Sequence, residues 1–71
     1  MEKFFTFESK TVNGQTTCAA YERADEQAAL SAYHSGIASA LVTDGCTECV
    51  FMVFTSDGRM LEHPFSWKKP E

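Results

Sequence analysis

The sequence predicts an α+β domain with the element order ββαββ, in which one helix packs on one face of a four-stranded, mainly antiparallel sheet. Turn signals at Asn13-Gly14 and Asp57-Gly58 each lie between segments rich in β-branched and aromatic residues, as is typical of hairpins. The segment between these hairpins is rich in alanine, lacks proline and repeats large apolar residues at helical spacing. With 71 residues, the chain is expected to be a single small domain, ordered over about 3–67 with a flexible tail at 68–71.

The first hairpin extends to about Glu22. A type I′ turn needs positive φ at both central residues, which Asn and Gly tolerate best. A two-residue turn places Val12 opposite Gln15 and fixes the register of the whole hairpin. One face then carries side chains that we assign to the core: Phe5, Phe7, Ser9, Cys18 and Ala20.

The helix is expected from about Asp25 to Val42. Asp25 and Glu26 suit the positive end of the helix dipole, and Gly45 is a natural left-handed residue after the helix. Spacings of three and four residues place one apolar stripe toward the sheet: Leu30, Tyr33, Ile37 and Leu41. A second line consists of small residues that permit a close backbone approach: Ala28, Ala32, Gly36 and Ala40. We favour contact of this line with the chain's own sheet over contact with a second chain.

The second hairpin pairs a strand at Glu48–Thr55 with a return strand at Arg59–Trp67. A two-residue Asp57-Gly58 turn makes Ser56 face Arg59, and Pro64 places the return strand at an edge because proline cannot donate to a ladder. The expected strand order is 2-1-3-4. The predicted core consists of Phe5, Phe7, Leu30, Ile37, Leu41, Val50, Met52, Phe54, Leu61 and Phe65.

A single helix covers only one face of such a sheet. The opposite face is expected to carry an apolar interaction surface made of Phe4, Tyr21, Phe51, Val53 and Met60. We therefore predict a non-enzymatic protein that self-associates, as a homodimer or a larger assembly, or docks on a protein partner. The alternative, that these side chains are scattered and partly covered by loops and tail, stays open at this point.

The cysteines allow a second functional hypothesis. Cys46-Thr47-Glu48-Cys49 is a CxxC pair, which in other settings clips zinc or forms a redox disulfide. This pair follows the end of a helix rather than its thiolate-stabilising start, and Cys18, His34 and His63 are the only further soft ligands. We expect buried free thiols and no cofactor, with a small metal-binding or redox module at Cys46 and Cys49 as the alternative.

Composition and motifs argue against other classes. The net charge of −4 disfavours a nucleic-acid binder, and the longest apolar stretch is too short to span a bilayer. No phosphate loop, EF-hand or HExxH pattern is present, so no catalytic residue is predicted. The first residues lack the pattern of a signal peptide, which leads us to expect a cytoplasmic protein.

Two stretches carry a resemblance to a known class of proteins. Glu26–Ser35 has the form E-x-x-A-L-x-x-Y-H, and Cys49–Phe54 is followed by Ser56-Asp57-Gly58. In these elements and their order, the chain resembles small proteins encoded by tailed phages, prophages and mobile elements of Firmicutes. The resemblance implies an accessory protein that acts through association, associated with the virion if phage-encoded. It transfers no activity and no residue role.

Overall fold

The computed structural model describes residues 2–70, which form one helix and one four-stranded sheet. The elements are β1 (Phe4–Val12), β2 (Gln15–Arg23), α1 (Glu26–Leu41), β3 (Cys46–Thr55) and β4 (Phe65–Lys68). The strand order is β2-β1-β3-β4, and each neighbouring pair is antiparallel. The predicted ββαββ class and the predicted strand order are both confirmed.

The hairpin of β1 and β2 has the register that its turn predicts. Val12 pairs with Gln15, and the pairing runs without a shift to Phe4 and Arg23. Asn13 and Gly14 both have positive φ, at 53° and 81°, as a type I′ turn requires. The turn residues therefore determine the positions of all the β1 and β2 side chains relative to each other.

Helix α1 begins and ends close to the predicted residues. Asp25 is the N-cap, and its carboxylate accepts a hydrogen bond from the backbone N–H of Ala28 at 2.7 Å. Gly45 has a φ of 84° and precedes β3 directly. The cap and the glycine thus set the two limits of the segment that crosses the sheet.

The helix covers the face opposite to the one we predicted. The side chains buried beneath it come from the even positions of β1 and the odd positions of β3, and include Thr6, Cys49, Phe51, Val53 and Thr55. The predicted core residues of the two central strands lie on the other face and are only half-buried: Phe5, Phe7, Val50, Met52 and Phe54. Side-chain alternation grouped these residues correctly, but the assignment of the two groups to core and surface was wrong.

Handedness explains which face the helix covers. Since β1 is antiparallel to both β2 and β3, those two strands run parallel to each other, and α1 is the crossover between them. Crossovers between parallel strands are almost always right-handed. With the type I′ register, the right-handed path places α1 over the face that carries Thr6 and Phe51.

Small residues allow α1 to lie close to the sheet. Ala29, Tyr33 and Ala40 are buried, and a Cβ atom built on Gly36 would lie 2.6 Å from Cε1 of Phe51. For Gly36 and Ala40 the expected contact with the chain's own sheet is therefore confirmed. Of the predicted stripe, Leu30 and Ile37 are partly buried against the core, whereas Leu41 is 45% exposed.

The second hairpin differs from its prediction in register. Thr55 donates its N–H to the carbonyl of Arg59 at 2.9 Å, so the turn contains three residues rather than two. An irregular loop follows, and β4 then pairs Phe65 with Phe51 and Trp67 with Cys49. Phe65 and Trp67 therefore lie on the same side as Phe51 and Cys49, not on the side of Val50 and Met52 that the two-residue turn predicts. The predicted core positions of Leu61 and Phe65 are confirmed, because both pack against the core together with Trp67.

Part of the predicted tail belongs to the sheet. Lys68 ends β4 opposite Glu48, and the N–H of Lys69 donates to the carbonyl of Thr47 at 2.7 Å. His63, predicted in a strand, lies exposed in the loop before β4, where its carbonyl accepts a hydrogen bond from the hydroxyl of Tyr33 at 2.8 Å. Glu71, the end of the predicted tail, lies outside the described residues.

Candidate interaction surface and thiol pair

The uncovered side of the sheet carries an apolar cluster, which we call the open face. Its members are Phe5 and Phe7 of β1 and Val50, Met52 and Phe54 of β3. Phe7 lies opposite Met52, and the rings of Phe5 and Phe54 stack with centroids 5.7 Å apart. Within residues 2–70 no second layer packs on this side, so cross-strand contacts alone account for its partial burial.

Polar and charged residues surround the open face. At one end, the Lys3 ammonium lies 4.0 Å from the Glu22 carboxylate. At the other end, Lys68 pairs across the sheet with Glu48. An apolar centre with a polar rim is the usual anatomy of a protein–protein contact. The two lysines and two glutamates balance, although the whole chain has a net charge of −4.

The predicted interaction residues are distributed over both sides of the sheet. Phe51 is 2% exposed and Val53 is fully buried, so both are corrected from surface to core. Phe4 is partly buried against the same core. Tyr21, 46% exposed, lies on the helix-covered side at the β2 edge, and the exposed Met60 lies opposite Phe54 beside the open face. Strand alternation in the sequence already groups the residues of the open face together. We predicted that this group would lie under the helix, and it lies on the uncovered side instead.

The CxxC cysteines both lie beneath the helix. A register shift between Thr11 and Val12 in the β1–β3 pairing allows Cys46 and Cys49, three residues apart, to be buried on the same side of the sheet. Burial raises the pKa of the Cys49 thiol, and neighbouring Cys46 raises it further, whereas Lys10 lowers it. A redox cysteine needs the opposite shift, because the thiolate is the nucleophile.

Among residues 2–70, no third ligand converges on the cysteine pair. In the part of the chain that the structure describes, no group of three or more His, Cys, Asp or Glu side chains is placed to hold a metal ion. Cys18 is exposed beside Ser9 on the open side of the sheet, 3.5 Å from its hydroxyl. His34 and His63 are both exposed. A structural zinc site needs four ligands, and this arrangement brings together two.

Thiol reactivity tests this burial. We expect Cys18 to react readily with an aromatic disulfide reagent in the native protein, and Cys46 and Cys49 to react only on unfolding. The raised pKa of Cys49 further suppresses its thiolate at pH values near the ordinary pKa of a thiol. The measurement is a thiol count with and without denaturant, under otherwise matched conditions. Equal reaction of all three cysteines in the native state would contradict the placement.

The carboxylate of Asp57 stabilises the turn after β3. The pKa of Asp57 is lowered because its carboxylate accepts hydrogen bonds from the Thr55 hydroxyl and the Arg59 N–H. These bonds close the turn on the chain itself. Asp57 therefore has a structural role that its local geometry explains.

Comparisons with known proteins place no further constraint on function. No family model, curated protein or solved structure matches this chain. Within residues 2–70, the helix is too short to cross a membrane.

Proposed function

We propose that this chain is a non-enzymatic association protein that packs its open face against the open face of a second copy. The observation that supports the proposal is the group of large apolar side chains on the uncovered side of the sheet, centred on Phe7 and Met52. Contiguous apolar patches with polar rims typically mark interaction sites. In such a pair the two sheets form the inner layers and the helices lie outside.

The dimensions of the sheet suit this arrangement. Three strands of nine or ten residues and a fourth of four, about 4.8 Å apart and at about 3.4 Å per residue, give a face of roughly 500 Å². Two copies would together bury roughly 1,000 Å², which is about the smallest area expected of a biological interface. The balanced charges at Lys3, Glu22, Glu48 and Lys68 avoid a field of one sign between the copies.

The cellular setting is part of the same proposal. All three cysteines are free, which fits a reducing compartment such as the cytoplasm. The resemblance of Glu26–Ser35 and Cys49–Phe54 to small phage and prophage proteins supports an accessory role that works through association. A different protein partner on the open face is the alternative occupant.

Solution mass tests self-association, with Met52→Lys as the decisive variant. We expect the native protein to show more than one copy per particle by light scattering on a sizing column under reducing conditions. Lysine at position 52 would be buried without a partner in the centre of the contact. It should weaken association by at least about 2 kcal/mol, or about 30-fold.

Ser35→Lys is the matched control, because Ser35 is exposed on the helix, away from the open face. This variant should retain the native mass at every concentration. Circular dichroism should show that both variants keep the native fold. A native protein that is monomeric at all concentrations, or a Met52→Lys variant with unchanged mass, would overturn self-association through the open face.

A further inference from the structure

The outer edge of β2 is long, and most of it lacks the charged residues and prolines that usually prevent an edge strand from pairing with another strand. From Gln15 to Tyr21 the strand contains neither a charged residue nor a proline, and all but Ala19 in this stretch are exposed. In an antiparallel pair, alternate residues direct both N–H and C=O toward the neighbouring strand. Because the tight turn makes Val12 and Gln15 a bonded pair, the even residues of β2 direct their backbone groups outward. These residues are Thr16, Cys18, Ala20 and Glu22.

The opposite edge of the sheet carries the protection that β2 lacks. Strand β4 has only four residues and ends with Lys68. Pro64 precedes it, and Lys69 and Pro70 follow. Short length, lysine and proline are the features by which natural sheets prevent edge-to-edge pairing. The contrast between the two edges distinguishes β2 as the one suited to receive another strand.

We propose that β2 pairs antiparallel with β2 of a second copy, about a two-fold axis at Ala19. Ala19 is the midpoint of Gln15–Arg23, so this register uses the whole strand. Each outward-directed residue then meets an outward-directed residue, giving about eight main-chain hydrogen bonds. The opposed pairs are Cys18 with the partner's Ala20, Thr17 with the partner's Tyr21, Thr16 with the partner's Glu22, and Gln15 with the partner's Arg23.

Charge favours a second copy in this orientation. The charged residues of β2, Glu22 and Arg23, lie together at its C-terminal end. Antiparallel pairing places the two sets at opposite ends of the contact, opposite uncharged Thr16 and Gln15. A parallel alignment in register would instead place each Glu22 beside its copy, where like charges destabilise the pair.

The rest of the fold leaves room for this contact. Helix α1 lies mainly over β1 and β3, so the outer side of β2 is clear. A two-fold axis perpendicular to the sheet places both helices on one side and joins the two open faces on the other. The edge contact is independent of the face-to-face contact proposed above. If both form, closed assemblies contain four chains related by perpendicular two-fold axes.

Disulfide trapping tests the register directly. In a Cys18→Ser background, Ala19→Cys places two thiols directly opposite each other at the axis. A non-hydrogen-bonded antiparallel pair has Cα atoms about 4.5 Å apart, which a disulfide spans. We expect mild oxidation to give a covalent dimer on a non-reducing gel, with a yield that persists at low micromolar concentration.

Thr17→Cys in the same background is the matched control. Thr17 lies on the same strand and the same side of the sheet as Ala19. In the proposed register, the two copies of position 17 are about 13 Å apart along the strands, too far for a disulfide. Absence of a covalent dimer from Ala19→Cys, or equal yields from the two variants, would overturn the proposal.

Two further variants separate this contact from the open face. Ala20→Pro removes an outward N–H without removing a bond to β1, and it should abolish the trapping of Ala19→Cys while circular dichroism stays native. Met52→Lys should leave that trapping intact. Loss of trapping with Met52→Lys, or its persistence with Ala20→Pro, would contradict an edge contact that is independent of the open face.

Discussion

Replacement of Phe51 by glutamate is expected to unfold the protein. Phe51 is 2% exposed and packs beneath α1, where Gly36 lies against its ring. Loss of a buried phenylalanine side chain costs about 3–5 kcal/mol, and an unpaired buried carboxylate adds to this cost. A chain of this length has a total stability of about 4–10 kcal/mol. Urea unfolding followed by circular dichroism should show little or no native baseline for Phe51→Glu.

Met52→Glu is the matched control, because the neighbouring residue projects to the opposite side of the sheet. Met52 is half-buried on the open face, where a carboxylate can reach water. This variant should keep a native spectrum and a cooperative transition. If Phe51→Glu remained folded while Met52→Glu unfolded, the helix would cover the other face of the sheet.

The sequence predicted local structure well wherever a short signal decides it. Asn13-Gly14 determined the turn and with it the register from Val12 to Phe4. Asp25 indicates the start of the helix because its charge suits the positive end of the helix dipole, and in the structure its carboxylate also accepts a hydrogen bond from the N–H of Ala28. In each example the deciding interaction lies within a few residues of the signal.

The choice of face could have been predicted, but from chirality rather than from hydrophobicity. Both faces carry large apolar residues: Phe5, Phe7 and Phe54 on one, Phe4 and Phe51 on the other. Hydrophobic alternation therefore identifies two acceptable cores. The right-handed crossover from β2 to β3 distinguishes them once the strand order is known. Because the face was assigned wrongly, the strand residues that we predicted in the core form the open face and were left out of the predicted interaction surface.

The register of β4 had no local signal that could determine it. The ladder extends as far as Leu61, and the segment from Glu62 to Pro64 then leaves it and contacts the helix. The Tyr33 hydroxyl donates to the carbonyl of His63 at 2.8 Å, and the N–H of Leu61 donates to the carbonyl of Val53 at 3.0 Å. Beyond Leu61, the pairing of Phe65 and Trp67 is displaced by two residues from the register that the three-residue turn sets.

The close contact of Gly36 with Phe51 leads to the second large effect. Gly36→Val is expected to destabilise the protein, because even its Cβ would lie 2.6 Å from the Phe51 ring. Overpacking of a core typically costs about 1–3 kcal/mol, and the branched valine side chain should place this variant in the upper part of that range. Ala38→Val, at an exposed helical position, should cost less than about 1 kcal/mol. Urea unfolding measures both.

A double-mutant cycle separates this contact from ordinary helix propensity. Gly36→Ala gains about 1 kcal/mol of helix propensity but also brings its Cβ against the ring of Phe51, so it should not stabilise the native protein. In a Phe51→Leu background the ring is gone, and the same substitution should become stabilising. We expect a coupling energy of about 1–2 kcal/mol between the two positions. Additive effects would mean that the glycine is not required by the ring, and that α1 can move away from the sheet at little cost.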